Sequence, residues 1–259
     1  MFKKLKRKTL EANLLLRKYG LVLFTWGNAS QLDPERRHMA IKPSGVEYDD
    51  LTPEKICVLN LSDGAVVEGE LSPSTDAQTH LELYRHFTGV YGIVHTHSTH
   101  ATAFAQAGRA IPCYGTTHAD YFYGEIPCAR ELWPEEINNN YELNTGRVII
   151  KKFQELSADP LTIPGALVCG HGPFTWGKTA ADAAANAAYL EETARLAYIT
   201  LQIEHNVRNT RPTAAPRVAA LSGPAPQAVA HSGMKPVSQV LLDKHYLRKH
   251  GSGAYYGQK

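Results

Sequence analysis

The sequence predicts an α/β domain in which helices cover both faces of a mixed sheet. Three observations carry this. Short strand-like runs alternate with longer stretches of helical period. A tight turn at Asp63-Gly64 marks a hairpin, and long helical segments separate other runs, as crossovers between strands require. With 259 residues, 43% hydrophobic and 20% charged, the chain can bury one substantial core, so a single domain over residues 1–259 is expected.

The elements follow in order. Leu5, Ala12, Leu15, Leu16 and Tyr19 share a helical face, and Gly20 stops that helix. Residues 21–24 and 39–42 read as strands, followed by the hairpin. Residues 76–87 are helical in period, and Gly92-Ile93-Val94-His95-Thr96-His97-Ser98 is an apolar strand running into polar residues. A helix is expected over 98–107, strand pieces at 114–117, a helix over 142–156, a strand at 166–168 and a long alanine-rich helix over 179–204. Residues 206–236 are dense in Pro, Ala, Gly and Ser without apolar period, and read as a flexible, dispensable surface insertion. Residues 237–259 return to a helix and end in a tail carrying Tyr255 and Tyr256.

Composition excludes several classes of function. The formal charge is only +2, and the basic residues Lys3, Lys4, Lys6, Arg7 and Lys8 fall within a helical pattern, where a solvated face explains them better than a nucleic-acid patch. No apolar run approaches the ~20 residues of a membrane span, and the basic N-terminus lacks the apolar core of a signal peptide. Cys57, Cys113, Cys128 and Cys169 show no C-x-x-C spacing, so they read as small buried residues of a reducing compartment. A cytoplasmic protein without nucleic-acid or membrane partners is expected.

The chemistry concentrates on histidine. Side chains two apart on a strand share a face, so His95 and His97 can grip one metal ion. His171, in Cys169-Gly170-His171-Gly172-Pro173, also lies where a strand gives way to a loop. Three imidazoles with one open position are a pattern of catalytic zinc. Asp76 either completes that set with a hard oxygen or serves as a first-turn carboxylate favoured by the helix dipole. Three loops look built for an anion: Thr25-Trp26-Gly27-Asn28-Ala29-Ser30, Lys42-Pro43-Ser44-Gly45-Val46 and Ser72-Pro73-Ser74-Thr75-Asp76. Glycine lets backbone N–H groups approach a ligand, and hydroxyls donate. The segment Thr116-Thr117-His118-Ala119-Asp120-Tyr121-Phe122-Tyr123 packs several titratable groups together.

Taken together and in order, these blocks resemble the class II aldolase and epimerase family, with Phe24-Thr25-Trp26-Gly27-Asn28, His171-Gly172-Pro173-Phe174 and Leu242-Asp243-Lys244-His245-Tyr246-Leu247-Arg248 among them. The resemblance runs from Leu5 to Gln258 apart from the insertion. It implies a three-layer α/β/α domain around a mixed, largely antiparallel sheet. It implies zinc, or another divalent metal such as manganese, one per subunit, held by Asp76, His95, His97 and His171. It implies contacts from Gly27, Asn28, Ser44, Gly45, Ser74 and Thr75, with Lys42 nearby, to a phosphorylated ketopentose. Asp120 and Tyr256 would take acid and base roles from a neighbouring subunit of a homotetramer, with Thr116, Glu142, His245 and Arg248 around the same interface. The implied reaction is epimerisation at C4 by cleaving and re-forming the C3–C4 bond, or aldol cleavage that releases both fragments.

Other readings fit less well. His95-Thr96-His97-Ser98-Thr99-His100 nearly spells a metallo-β-lactamase signature, but Thr99 stands where a second metal needs aspartate. A cupin would want a glutamate soon after the pair. A non-catalytic scaffold would have little reason to keep three such histidines with Asp120 and Tyr256.

Overall fold

The computed structural model describes residues 2–209 and 234–255. Among them one sheet contains β1 Asn28–Leu32, β2 His38–Ile41, β3 Cys57–Asn60, β4 Val66–Glu68, β5 Gly92–His95, β6 Cys128–Ala129, β7 Gly165–Val168 and β8 Pro173–Gly177. Their order is β4-β3-β2-β1-β5-β8-β7-β6. Neighbours are antiparallel except β6 with β7, which is parallel. The sheet is therefore mixed and largely antiparallel, as expected. The helices are α1 Lys3–Lys18, α2 Ala77–His86, α3 Thr99–Gln106, α4 Thr116–Ala119, α5 Pro134–Asn138, α6 Tyr141–Leu156, α7 Ala180–Asn209 and α8 Gln239–His250.

Strand alternation divides the core into two layers. On one face Met39, Ile41, Leu59, Ile93 and Trp176 pack against Leu81 and Tyr84 of α2 and Ile149 and Phe153 of α6. On the other, Ala29 and Val94 meet Leu16 of α1 and Ala183 and Ala184 of α7, while Leu167 packs with Phe104 of α3 and Leu190 of α7. Ile93 and Val94 thus point to opposite layers, and His95 follows Ile93 onto the α2 side.

Four expectations change. Residues 21–24 form no strand: Gly20 turns the chain at φ 69°, Phe24 sits at φ 51°, and Leu23 and Phe24 lie exposed. The strand begins later, at Asn28, inside a segment that reads as a polar loop. Its polar side chains are buried because each is paired: Ser30 Oγ meets His80 Nδ1 at 2.7 Å and Tyr84 Oη at 2.8 Å, and Gln31 accepts from Ala180 N at 2.7 Å. β8 was not expected, since its proline and glycine argue against a central strand, yet Pro173 stands first, where its missing N–H costs nothing. Residues 114–117 are not strand but lead into a helical turn closed by Ala119 N donating to Gly115 O. Finally, the long helix continues to Asn209, four residues into the expected insertion; residues 210–233, most of that insertion, lie outside the described residues.

Candidate metal and substrate site

The register places Asn28, His95 and Phe174 side by side on β1, β5 and β8. The His95 ring stacks on Phe174, with centroids 4.2 Å apart, and its Nδ1–H donates to Pro173 O at 2.9 Å. That leaves Nε2 as the free lone pair, which lies 2.9 Å from His97 Nε2. β5 ends at His95, so His97 reaches it from the irregular segment beyond the strand rather than by alternation. His171 comes from the β7–β8 turn, where Gly170 adopts φ 72° and His171 N donates to Val168 O. Ligand nitrogens of all three histidines lie within 4.8 Å of one another.

Asp76 stands just before α2 but makes no capping bond to it. Its carboxylate instead accepts from Asn28 Nδ2 at 2.7 Å, and the same amide donates to Ser74 Oγ at 3.0 Å. Burial alone would raise the Asp76 carboxyl; His95, then His80, Asn28 and His171, more than offset it and hold it ionised below its ordinary range. Burial and mutual repulsion push His97 and His171 the other way, below the ordinary histidine value. Neutral imidazoles beside an ionised carboxylate are the forms that bind a divalent cation. With the His95 proton on Nδ1, its Nε2 is an acceptor that His97 Nε2 reaches at 2.9 Å, so the two nitrogens either share a hydrogen bond or bind side by side to one cation.

These groups line a cleft of about 470 Å³ together with Gly27, Asn28, Lys42, Ser44, Gly45, Ser74, Thr75 and Glu142. Gly27 is required by space as well as by its φ of 74°: a Cβ there would lie 2.9 Å from His95 O. Tyr48 Oη donates to the Trp26 and Gly27 carbonyls, pinning this loop. The other two loops are tied to each other by Ser74 N donating to Lys42 O and Ser44 N to Ser72 O, both at 3.0 Å. Lys42 is 1% exposed, donates to Thr25 O at 3.1 Å and lies over the Tyr48 ring. Burial brings its ammonium down to about 8, with Glu47 countering in part. A buried cation among glycine and serine loops is suited to an anion.

Not every expected residue is in the cleft. Thr116, Asp120, His245 and Arg248 do not line it. Asp120 is instead clasped by α8, where Arg248 forks onto its carboxylate at 2.8 to 3.1 Å, His245 Nδ1 lies at 3.1 Å and Lys249 Nζ at 3.6 Å. Burial acts to raise Asp120, but these partners win and lower it. Tyr256 lies outside the described residues. Conversely, sequence reasoning missed Trp26 as a cleft wall, Phe174 beneath His95, His80 behind Asp76, and Tyr141, whose hydroxyl is 3.4 Å from His171 Nδ1. Tyr141 directly precedes the expected Glu142; nothing in local sequence marks it.

Residues 7–198 match the family described as Class II Aldolase and Adducin N-terminal domain, and the chain belongs to that family. It is 49% identical over 256 residues to the L-ribulose-5-phosphate 4-epimerase UlaF of Salmonella paratyphi A, a match that covers 99% of both chains. The UlaF of Salmonella typhi matches to the same extent. Among solved structures, an L-fuculose 1-phosphate aldolase has the same fold, with TM-score 0.65 and 22% identity over 83% of this chain and 91% of its own.

Proposed function

We propose that the chain is a metal-dependent epimerase that interconverts L-ribulose 5-phosphate and D-xylulose 5-phosphate. The observation that carries this is a single cleft in which His95, His97 and His171 converge beside glycine loops and the buried Lys42. Full-length likeness to the epimerase named above supports the substrate. Four free cysteines suit a reducing cytoplasm, and no helix among the described residues is long and apolar enough to cross a membrane.

C4 of this substrate is β to the C2 ketone, so its hydrogen is not acidic and simple deprotonation does not invert it. A β-hydroxy ketone does undergo retro-aldol cleavage. Loss of the C4 hydroxyl proton breaks the C3–C4 bond, leaving glycolaldehyde phosphate and an electron pair shared between C3 and the C2 carbonyl. When the aldehyde turns over, re-forming the bond inverts C4. Zinc, or manganese in its place, would be held by Asp76, His95, His97 and His171 and supplies Lewis acidity for the charge left on the ketone fragment.

The remaining work falls to the chain. Donors of Gly27, Asn28, Ser44, Gly45, Ser74 and Thr75, with Lys42, hold the phosphate, so the aldehyde fragment is retained while its carbonyl rotates. Attack on opposite faces calls for proton transfer on opposite sides, a task assigned to Asp120 and Tyr256. Arg248 and His245 keep Asp120 ionised, the form that accepts a proton. Because Asp120 does not line the cleft of its own chain, the reading requires a second copy to supply it, and the family resemblance makes that assembly a homotetramer with sites at subunit boundaries, bordered also by Thr116 and Glu142.

The test is to incubate purified protein with L-ribulose 5-phosphate and separate the products. D-xylulose 5-phosphate should form, vanish after chelation and return with zinc. Accumulation of dihydroxyacetone and glycolaldehyde phosphate would identify an aldolase instead.

A further inference from the structure

Each ligating histidine has a second ring nitrogen, and what that nitrogen binds decides which tautomer faces the cleft. For His95 the answer is a backbone carbonyl, Pro173 O. For His171 it is a side chain: no hydrogen bond to its ring other than that of Tyr141 is present among the described residues. The two rings are tilted by 40° with centroids 5.9 Å apart, so they approach through the hydroxyl and not by stacking.

Tyr141 is placed there by several independent contacts. Asn140 adopts φ 61° and ψ 54° to turn the chain into α6, and Thr145 Oγ1 donates to Tyr141 O at 2.9 Å. Thr79, in the first turn of α2, donates through Oγ1 to Glu142 O, tying the start of α6 to the helix that follows Asp76. The two helices cross closely because position 146 is glycine; a Cβ there would lie 2.9 Å from Glu82 Cβ. The α2–α6 contact thereby fixes the Tyr141 hydroxyl relative to both Asp76 and the His171 turn.

We propose that Tyr141 is the positioning residue of His171: its hydroxyl accepts the Nδ1–H and so presents Nε2, as a lone pair, to the metal. This rests on His171 being a ligand. A phenol oxygen can accept a hydrogen bond while its own O–H stays available to donate. Its own proton then remains for an oxygen in the cleft.

Metal affinity, read by chelator competition, tests this without an activity assay. Tyr141→Phe keeps the ring and should weaken zinc binding about 10- to 100-fold, the usual cost of losing a group behind a ligand. In a His171→Ala background the same substitution should add nothing, because the residue it positions is gone; a general structural role would weaken both backgrounds alike and overturn the proposal. Unchanged affinity in Tyr141→Phe would also overturn it. A ¹⁵N spectrum of the zinc-loaded wild-type chain provides a check that needs no variant: the His171 proton should sit on Nδ1, and a proton on Nε2 would contradict the inference. If the wild-type chain bound no metal, the metal reading itself would fall instead.

Discussion

His95 is oriented before any ligand arrives, by the Pro173 carbonyl on one side and the face of Phe174 on the other. His97 lies exposed beyond the strand end, with the Trp26 ring 6.3 Å away and, among the described residues, no hydrogen bond to its Nδ1, so its ring is held mainly by what binds its Nε2. Replacing it with alanine should weaken zinc binding by more than the roughly 10- to 100-fold cost of losing a group behind a ligand, with thermal stability of the metal-free chain nearly unchanged. Full occupancy by elemental analysis in His97→Ala would refute its assignment. Lys42 gives a pH prediction. Held down to about 8 by burial, it is cationic below that value and neutral above it, so attraction for a phosphate ester falls as pH rises through 8. A bound dianion raises the lysine again, so the fall should appear in kcat/KM and not in kcat. Lys42→Met should remove that limb and lower kcat/KM roughly 10- to 100-fold, the worth of a charged hydrogen bond. The histidine trio was legible because strand and loop positions flagged it. Asp76 was not separable from an ordinary helix-start carboxylate, since what distinguishes it is the Asn28 amide 48 positions away in sequence.

At the level of elements, the site hangs on β5, which lies between β1 and β8 and carries His95 at its end. Its first residue, Gly92, lies against the start of α7: a Cβ there would sit 2.2 Å from Ala180 N and from the Thr179 carbonyl. Only backbone movement would relieve that overlap. Gly92→Ala should therefore cost upward of ~3 kcal/mol, at the high end of overpacking, seen as a lower urea midpoint at unchanged slope. An equal midpoint would mean that β5 and α7 are less tightly joined than their contact implies. Most helices were legible from period alone, because one face of each is apolar. β1 was not: Asn28, Ser30 and Gln31 look like loop residues until Asp76 and Ser74 are seen to pair with Asn28, His80 and Tyr84 with Ser30, and Ala180 with Gln31. Tyr141 escaped for a related reason, as its contact with His171 depends on two helices crossing at Gly146.

For the molecule as a whole, the separation of Asp120 from the cleft of its own chain is the feature with the widest consequence. If two copies share each site, inactive His97→Ala and inactive Asp120→Asn chains should regain activity after mixing, since one kind of mixed boundary pairs an intact metal cleft with an intact Asp120. No recovery after verified subunit exchange would argue for a site within one chain. The insertion read from composition over 206–236, of which 210–233 lie outside the described residues, is expected to be replaceable by a short Gly/Ser linker with turnover largely kept; a folded but inactive variant would tie it to catalysis. A residue supplied by a second copy would leave no periodicity in a sequence, so a shared site is expected here from the resemblance and the tyrosine-bearing tail and not from any local pattern.

Inversion by breaking and remaking a carbon–carbon bond is tested by running the conversion of L-ribulose 5-phosphate in D₂O and reading C4 of the product by NMR. The C4 hydrogen never leaves carbon in retro-aldol cleavage, so D-xylulose 5-phosphate should carry no deuterium at C4. Deuterium at that position would show that the hydrogen had been removed, and would rule out retro-aldol inversion.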